Sequence, residues 1–217
     1  MTLEAIELFD QRAAEYDAWF SSPQGSRLFQ VELATLRLLL VDAPRPLVDI
    51  GCGTGTFSAA LGIDLGVDPS IGVLALARLR HLECLQATAE ALPLADTSFG
   101  TALLNLTLCF IADPAAALGE VHRILKPGGV VVIGELNRQS AWGEEYLRRK
   151  REGDPFYSAA SFFSPAEASG LLRLAGLEPE AYASSLRQPP GQDVRPEEPL
   201  PQLLPDAGFV CIRARKV

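Results

Sequence analysis

The stretch LVDIGCGTGTFSAAL, residues 47–61, limits the fold of this chain more than any other. A short apolar run around Asp49 ends in Gly51, Gly53 and Gly55 and passes directly into TFSAAL. The first part reads as a buried strand and the last as a helix. Glycines between them let the backbone approach a ligand with no Cβ in the way. Open α/β sheets bind ligands at the carboxyl ends of parallel strands, which is where this bend would lie. An α/β chain with a ligand at the bend is therefore expected.

The rest of the sequence repeats the alternation. IDLGVD, HLECLQA, FGTALLNL and VVVIGEL read as four further strands. SIGVLALARLR reads as a helix capped by Ser70. DPAAALGEVHRILKPGG reads as another, with Asp113 as N-cap, Pro114 as its first residue and Pro127-Gly128-Gly129 as its stop. Strands alternating with helices argue for a parallel sheet with right-handed crossovers. VVVIGEL is apolar on both faces and is expected at the centre, covered on both sides. Ser164-Pro165-Ala166-Glu167 reads as a capping box opening a helix that ends near Gly176. LEPEAYASSL and GFVCIRARKV have no helix between them and should pair antiparallel. The proline-rich connector 187–206 reads as a surface loop. At the other end, Leu3, Ile6, Phe9, Ala13, Tyr16 and Phe20 predict a helix over 2–20, and a second helical run covers about 26–41.

Composition narrows the partners. The formal charge of −8 disfavours a nucleic-acid backbone. No apolar run reaches the ~20 residues that span a bilayer, and the acidic, amphipathic N-terminus does not read as a signal peptide. Cys52, Cys84, Cys109 and Cys211 are far apart, without metal-site spacing. Reduced thiols in the cytoplasm are the simplest reading, although an even number leaves disulfides open. No metal, membrane or nucleic acid is expected, and the oligomeric state is unreadable.

The ligand can be narrowed too. The dinucleotide fingerprint G-x-G-x-x-G cradles a pyrophosphate, but here Thr56 stands where it wants glycine. Asp49, just before the bend, suits a ligand with a cationic amino group. Asp68 ends the second strand, where a carboxylate can accept both hydroxyls of a ribose.

The motifs VDIGCGTG, GVDPS, ATAEALPLADTSF and ALGEVHRILKPGGVVVIGE, in this order over about residues 45–136, resemble the class I S-adenosylmethionine-dependent methyltransferases. The branch that includes ubiquinone and menaquinone biosynthesis methyltransferases is the nearer likeness. Weaker similarity extends through YDAWFSSPQG, NRQSAW and FFSPAEASGLLRLAGL. The resemblance implies a Rossmann-like α/β fold: seven strands, mostly parallel, in the order 3-2-1-4-5-7-6, the last antiparallel, with helices on both faces and an N-terminal helical cap. It implies a single domain: a cap at 1–44, a cofactor-binding core at 45–136, and substrate-side helices with the antiparallel strands at 137–217. S-adenosylmethionine would be the cofactor, S-adenosylhomocysteine its product, and a small molecule the methyl acceptor.

Residue by residue, the resemblance implies that Asp49, Gly51, Cys52, Gly53 and Gly55 hold the methionine part. Asp68, with Pro69 beside it, would hold the ribose. Ala89 and Glu90 would flank adenine, with Ile71 on its face. Asn105 and Leu106 would line the cofactor near the sulfonium, and Tyr16 would close over it. Three positions depart from the family pattern: Ala87-Thr88 stands for Gly-Asp, Phe99-Gly100 for Phe-Asp, and Phe110 for a histidine.

A catalytic side chain is optional if the acceptor is already nucleophilic, and a general base helps otherwise. Glu135, Asn137 and Tyr16 are the candidates. His81 follows one helix and His122 lies within another, both expected behind the sheet. Tyr16, Trp19, Trp142, Tyr157, Phe162 and Phe163 are candidates for a lid or acceptor pocket. A non-catalytic S-adenosylmethionine-binding sensor or partner subunit is the alternative, and a nicotinamide oxidoreductase is disfavoured by Thr56. Carbon, nitrogen and oxygen acceptors all remain open.

Overall fold

The computed structural model describes residues 3–217. Three helices open the chain: α1 (Leu3–Gln11), α2 (Ala13–Trp19) and α3 (Pro23–Leu40). The alternating core follows as β1 (Leu47–Ile50), α4 (Thr56–Leu61), β2 (Leu65–Asp68), α5 (Ile71–Leu79), β3 (Cys84–Gln86), β4 (Phe99–Asn105), α6 (Pro114–Ile124) and β5 (Leu125–Leu136). The chain closes with α7 (Ala141–Arg151), α8 (Pro165–Leu174), β6 (Leu177–Ser185) and β7 (Phe209–Lys216).

The seven strands form one sheet in the order β3-β2-β1-β4-β5-β7-β6. β1 to β5 pair in parallel, and β7 inserts antiparallel between β5 and β6. Strand alternation splits the core into two layers. Leu103 of β4 and Val132 of β5 pack with Leu28, Val31 and Leu36 of α3. Their neighbours Ala102, Leu104, Val131 and Ile133 pack with Leu118 and Val121 of α6 and Leu172 of α8. Each fully buried leucine or isoleucine stabilises the fold by about 1.5–3 kcal/mol, so β5, apolar on both faces, ties the layers together. Among the described residues, no helix is long and apolar enough to cross a membrane.

Three local expectations need correction. The N-terminal helix is two, broken at Arg12, whose φ of −115° and ψ of 21° leave the helical region. The second helical run starts at Pro23 rather than near 26, because Ser22 caps it by accepting the Gly25 amide at 3.0 Å. Pro127-Gly128-Gly129 does not stop α6. That helix ends at Ile124, and Leu125 is already extended and paired with Phe99. Residues 126–129 loop out before Val130 resumes pairing at Thr101. Gly128 has a φ of +71°, so the motif folds a bulge inside β5 rather than a helix terminus.

Candidate active site

The bend after β1 follows from its glycines. Gly51, Gly53 and Gly55 take φ values of +78°, +53° and +76°, the left-handed region that side chains disfavour. A Cβ at Gly51 would run into the Thr107 side chain, while at Gly53 it would approach the Tyr16 ring. Thr107 Oγ1 donates to the Gly51 carbonyl at 3.1 Å, which pins the bend from the end of β4. Gly55 is turned away, against Ala77 of α5, as the N-terminal cap residue of α4.

Two carboxylates flank the bend. Asp49 is buried; its Oδ2 accepts the Ser58 hydroxyl at 2.6 Å, while its Oδ1 has no hydrogen-bond partner among the described residues. Burial pushes its pKa up to about 7, against the lowering effect of Ser58. Asp68 accepts the Ser70 amide at 2.9 Å and the Gly53 amide at 3.0 Å. Burial pushes Asp68 up to about 6, and those two amides hold the rise down. Asn105 ends β4 with its Oδ1 also buried and unpartnered among the described residues. Gly134 of β5 makes room for that amide, since a Cβ there would collide with it. Leu106 follows at a φ of +55°, a strained backbone held by the hydrogen bond its N–H donates to the Gly134 carbonyl at 2.8 Å.

These groups wall two narrow slots on either side of Gly51. One, of about 20 Å³, lies between Asp49, Cys52 and Phe57; the other, of about 40 Å³, lies between Gly53, Asp68 and Val73. Tyr16, Gly51, Asn105 and Leu106 belong to both. Tyr16 reaches the slots because α1 and α2 are tied across α5. Asp10 Oδ1 accepts the Ser70 hydroxyl at 2.6 Å and the Gly72 amide at 2.8 Å. Asp17 accepts Arg80 Nη2 at 2.8 and 3.0 Å.

Beyond Tyr16 opens a third space, a cavity of about 350 Å³. Tyr16, Phe20 and Leu106 separate it from the Asp49 slot. Phe9, Trp19, Phe110, Phe156, Tyr157 and Phe162 contribute aromatic wall. Phe9 meets Tyr16 and Phe110 edge-on at 5.3 and 5.6 Å between ring centroids, a geometry worth about 0.5–1.5 kcal/mol per pair beyond burial. One charged wall residue stands apart from the Arg12–Glu15 and Arg149–Asp154 pairs: Glu32 of α3 is 3% exposed, and its Oε2 has no hydrogen-bond partner among the described residues.

The structure thus brings Tyr16, Asp49, Gly51, Cys52, Gly53, Asp68, Asn105 and Leu106 together. Pro69, Ile71, Ala89 and Glu90 lie outside the slots. Ile71 is 57% exposed at the start of α5, and Glu90 accepts the Ala112 amide at 3.1 Å. Glu135 and Asn137 line none of the three spaces. Glu135 shares the strand face of Ile133, which packs toward α6, not that of Leu136, which lines the cavity. Burial pushes its pKa up to about 8, and the Leu108 backbone offsets part of that. Asn137 spends its amide on the Pro205 and Ala207 carbonyls at 2.8 and 3.1 Å, holding the 187–206 connector. Trp142 donates to the Gln188 carbonyl at 2.7 Å, and Phe163 packs on the α6 side of the sheet.

Sequence reasoning missed Glu32, Ser58, Thr107 and Gly134. Only Glu32 left a signal, an acid interrupting the apolar stripe Leu28, Leu36, Leu39. The other three matter through contacts between separate elements.

Two buried acceptors without donors, Asp49 Oδ1 and Asn105 Oδ1, face a slot whose wall is a glycine backbone. These acceptors match a ligand bringing N–H groups, as the ammonium of S-adenosylmethionine does. The strand order and the glycine bend after β1 define a Rossmann-like methyltransferase fold. Residues 48–133 match the family described as "Methyltransferase domain". The crystal structure of a Thermotoga maritima S-adenosylmethionine-dependent methyltransferase, described as a possible histamine N-methyltransferase, matches with a TM-score of 0.89 at 38% identity. The match covers 98% of this chain and 100% of that one. A demethylmenaquinone methyltransferase of Paenarthrobacter aurescens is 30% identical over 233 residues, 99% of this chain and 81% of its own length. An uncharacterized protein of Mycobacterium tuberculosis is 40% identical over 205 residues, 93% of this chain and 71% of its own length. The chain belongs to the S-adenosylmethionine-dependent methyltransferases. It is an enzyme, and S-adenosylmethionine is its cofactor.

Proposed function

We propose that this enzyme methylates a small molecule seated in the aromatic cavity, and that it does so chiefly by positioning. One observation carries the reading: the cavity of about 350 Å³ meets the Asp49 slot at a partition of only Tyr16, Phe20 and Leu106. The size is that of a small-molecule site. The names of two relatives, one for demethylmenaquinone and one for histamine, support an acceptor of that kind.

In this reading Asp49 and Asn105 accept N–H groups of the cofactor's methionine part, and Gly51, Cys52 and Gly53 supply the backbone against it. Asp68 takes the ribose. Pro69 and Ile71, which follow β2, and Ala89 and Glu90, which follow β3, would flank the adenine. When bound, the cofactor's sulfonium supplies an electrophilic methyl group. The chain's own part is to exclude water and aim the acceptor. Tyr16 and its neighbouring rings cover the slots, and the strained Leu106 backbone holds the boundary between slot and cavity in place. Such positioning contributes up to about 7–11 kcal/mol in well-aligned systems. Burial raises the Tyr16 hydroxyl well above its ordinary value, with Tyr157 and Asp68 adding to the rise, so Tyr16 acts as a neutral wall and hydrogen-bond donor rather than as a base. The four cysteines are free thiols, which fits a cytoplasmic enzyme.

Titration calorimetry with S-adenosylhomocysteine tests the slot. Wild type should bind it, and Asp49→Asn should bind at least about tenfold more weakly while melting as a folded protein. Equal affinity in the two would remove Asp49 from the site. Transfer of a labelled methyl group from S-adenosylmethionine to a metabolite extract tests the reaction, and label recovered only in protein would overturn a small-molecule acceptor.

A further inference from the structure

Glu32 sits where the fold asks for an apolar side chain. It lies four residues after Leu28 and four before Leu36, both fully buried on the same stripe of α3. Its carboxyl is nevertheless turned to the cavity, buried, and without a donor for Oε2 among the described residues. Burying an unmatched carboxyl is costly, and nothing in the fold needs one at this position.

The other charges of the cavity wall are matched. Arg149 pairs with Asp154 at 2.6 Å, and Arg12 with Glu15 at 3.5 Å. Among the described residues no cation forms an ion pair with Glu32, and burial pushes its pKa up to about 8. The rings around it suit a positive charge. The Arg149 guanidinium already lies 4.8 Å from the centre of the Tyr157 ring and 5.6 Å from that of Tyr146, cation–π distances. An anionic acceptor would meet an unmatched carboxyl there, and a neutral ring system would leave that carboxyl unanswered.

We propose that Glu32 sets the acceptor class: the cavity takes an organic ammonium compound, its charged nitrogen held by the Glu32 carboxylate among the aromatic side chains. This rests on the reading of the cavity as the acceptor site. It concerns recognition and leaves the methylated atom undetermined.

The test is equilibrium binding to protein saturated with S-adenosylhomocysteine. The probes are 2-phenylethylamine, its isostere 2-phenylethanol, and 3-phenylpropanoate, titrated calorimetrically into wild type and Glu32→Gln. Wild type should bind the amine at least about tenfold more tightly than the alcohol and show no heat with the acid. In Glu32→Gln the amine should lose that advantage, while affinity for the alcohol and for S-adenosylhomocysteine stays unchanged; the latter also confirms that the variant is folded. Alcohol or acid binding as tightly as the amine, an amine preference that survives in Glu32→Gln, or no amine heat at all would each overturn the proposal. The broader reading fails separately. If S-adenosylhomocysteine itself does not bind to wild type, the slot is misassigned; if labelled methyl appears only in uncharged or acidic metabolites, the enzyme stands and the ammonium class falls.

Discussion

The slot beside Gly51 and the cavity beyond Tyr16 differ in where their residues come from. The slot is built from contiguous sequence: a strand end, a bend and a helix start, closed by the end of the adjacent strand. The cavity is assembled from α1, α2, α3, the segment after β4 and the stretch around α7, brought together only by tertiary packing. The first is a backbone device whose chemistry is set by glycine conformation. The second is a side-chain device whose chemistry turns on one acid among rings. A change in either should therefore be felt by a different ligand.

The largest expected effect breaks the slot alone. Gly51→Ala puts a Cβ into Thr107 and forces an L side chain to φ of +78°. Affinity for S-adenosylhomocysteine should fall by about 100-fold or more, read by calorimetry, with some loss of stability. Retained affinity would mean that the bend is not the cofactor's support.

The next probe distinguishes the carboxylates by pH. Burial raises Asp49 to about 7 and Asp68 to about 6, so the folded chain holds those protons more tightly than the unfolded chain does. Their contribution to stability is complete below the unfolded pKa of about 4 and is lost as pH rises through the folded values. Ligand-free protein should melt at lower temperature as pH goes from about 5 to 8. S-adenosylhomocysteine affinity should rise over the same interval, because on the proposed reading an ionised Asp49 would accept the ligand's ammonium. Asp49→Asn should flatten the affinity trend and leave a shallower melting trend carried by Asp68.

A smaller effect belongs to the cavity. Glu32→Met replaces a buried carboxyl lacking a donor with an apolar side chain, and should stabilise the ligand-free protein by about 1–3 kcal/mol in denaturant titrations at neutral pH. The gain should grow as pH rises from about 4.5 to about 8 and level off above that, because over this interval the unfolded chain ionises Glu32 while the folded chain keeps it protonated. S-adenosylhomocysteine binding should not change. A destabilised Glu32→Met would show that Glu32 serves the fold.

The smallest effect lies between the two compartments. Asp17→Asn weakens a partly exposed ion pair to Arg80, and such pairs contribute about 0–1 kcal/mol. Stability should hardly move, while association and dissociation of S-adenosylhomocysteine, followed by stopped-flow Trp fluorescence, should both quicken.

Much of the fold was legible because local pattern and global topology agree. Strand alternation, the Ser70 and Asp113 caps and the Ser164 capping box are all present where the sequence implied them. Pro127-Gly128-Gly129 misled because the same residues that end a helix also fold a bulge, and only the pairing partner decides which. The resemblance gathered most of the slot residues. It did not reach Ser58 or Thr107, whose roles depend on hydrogen bonds to other elements, Ser58 to Asp49 in β1 and Thr107 to the Gly51 carbonyl in the bend. Glu32 was visible as an oddity in a helix, but its meaning needed the cavity. Glu135 illustrates the converse: its place at a strand end looked favourable, yet strand alternation sends it to the other layer.

Tyr16, Phe20 and Leu106 form a wall with a ligand space on each side. A shared wall couples its two rooms mechanically: when one is filled, the partition is pressed into shape for the other. Turnover should accordingly pass through a ternary complex in compulsory order, nucleoside first and acceptor second. On that reading the spent nucleoside should leave last, after the methylated product.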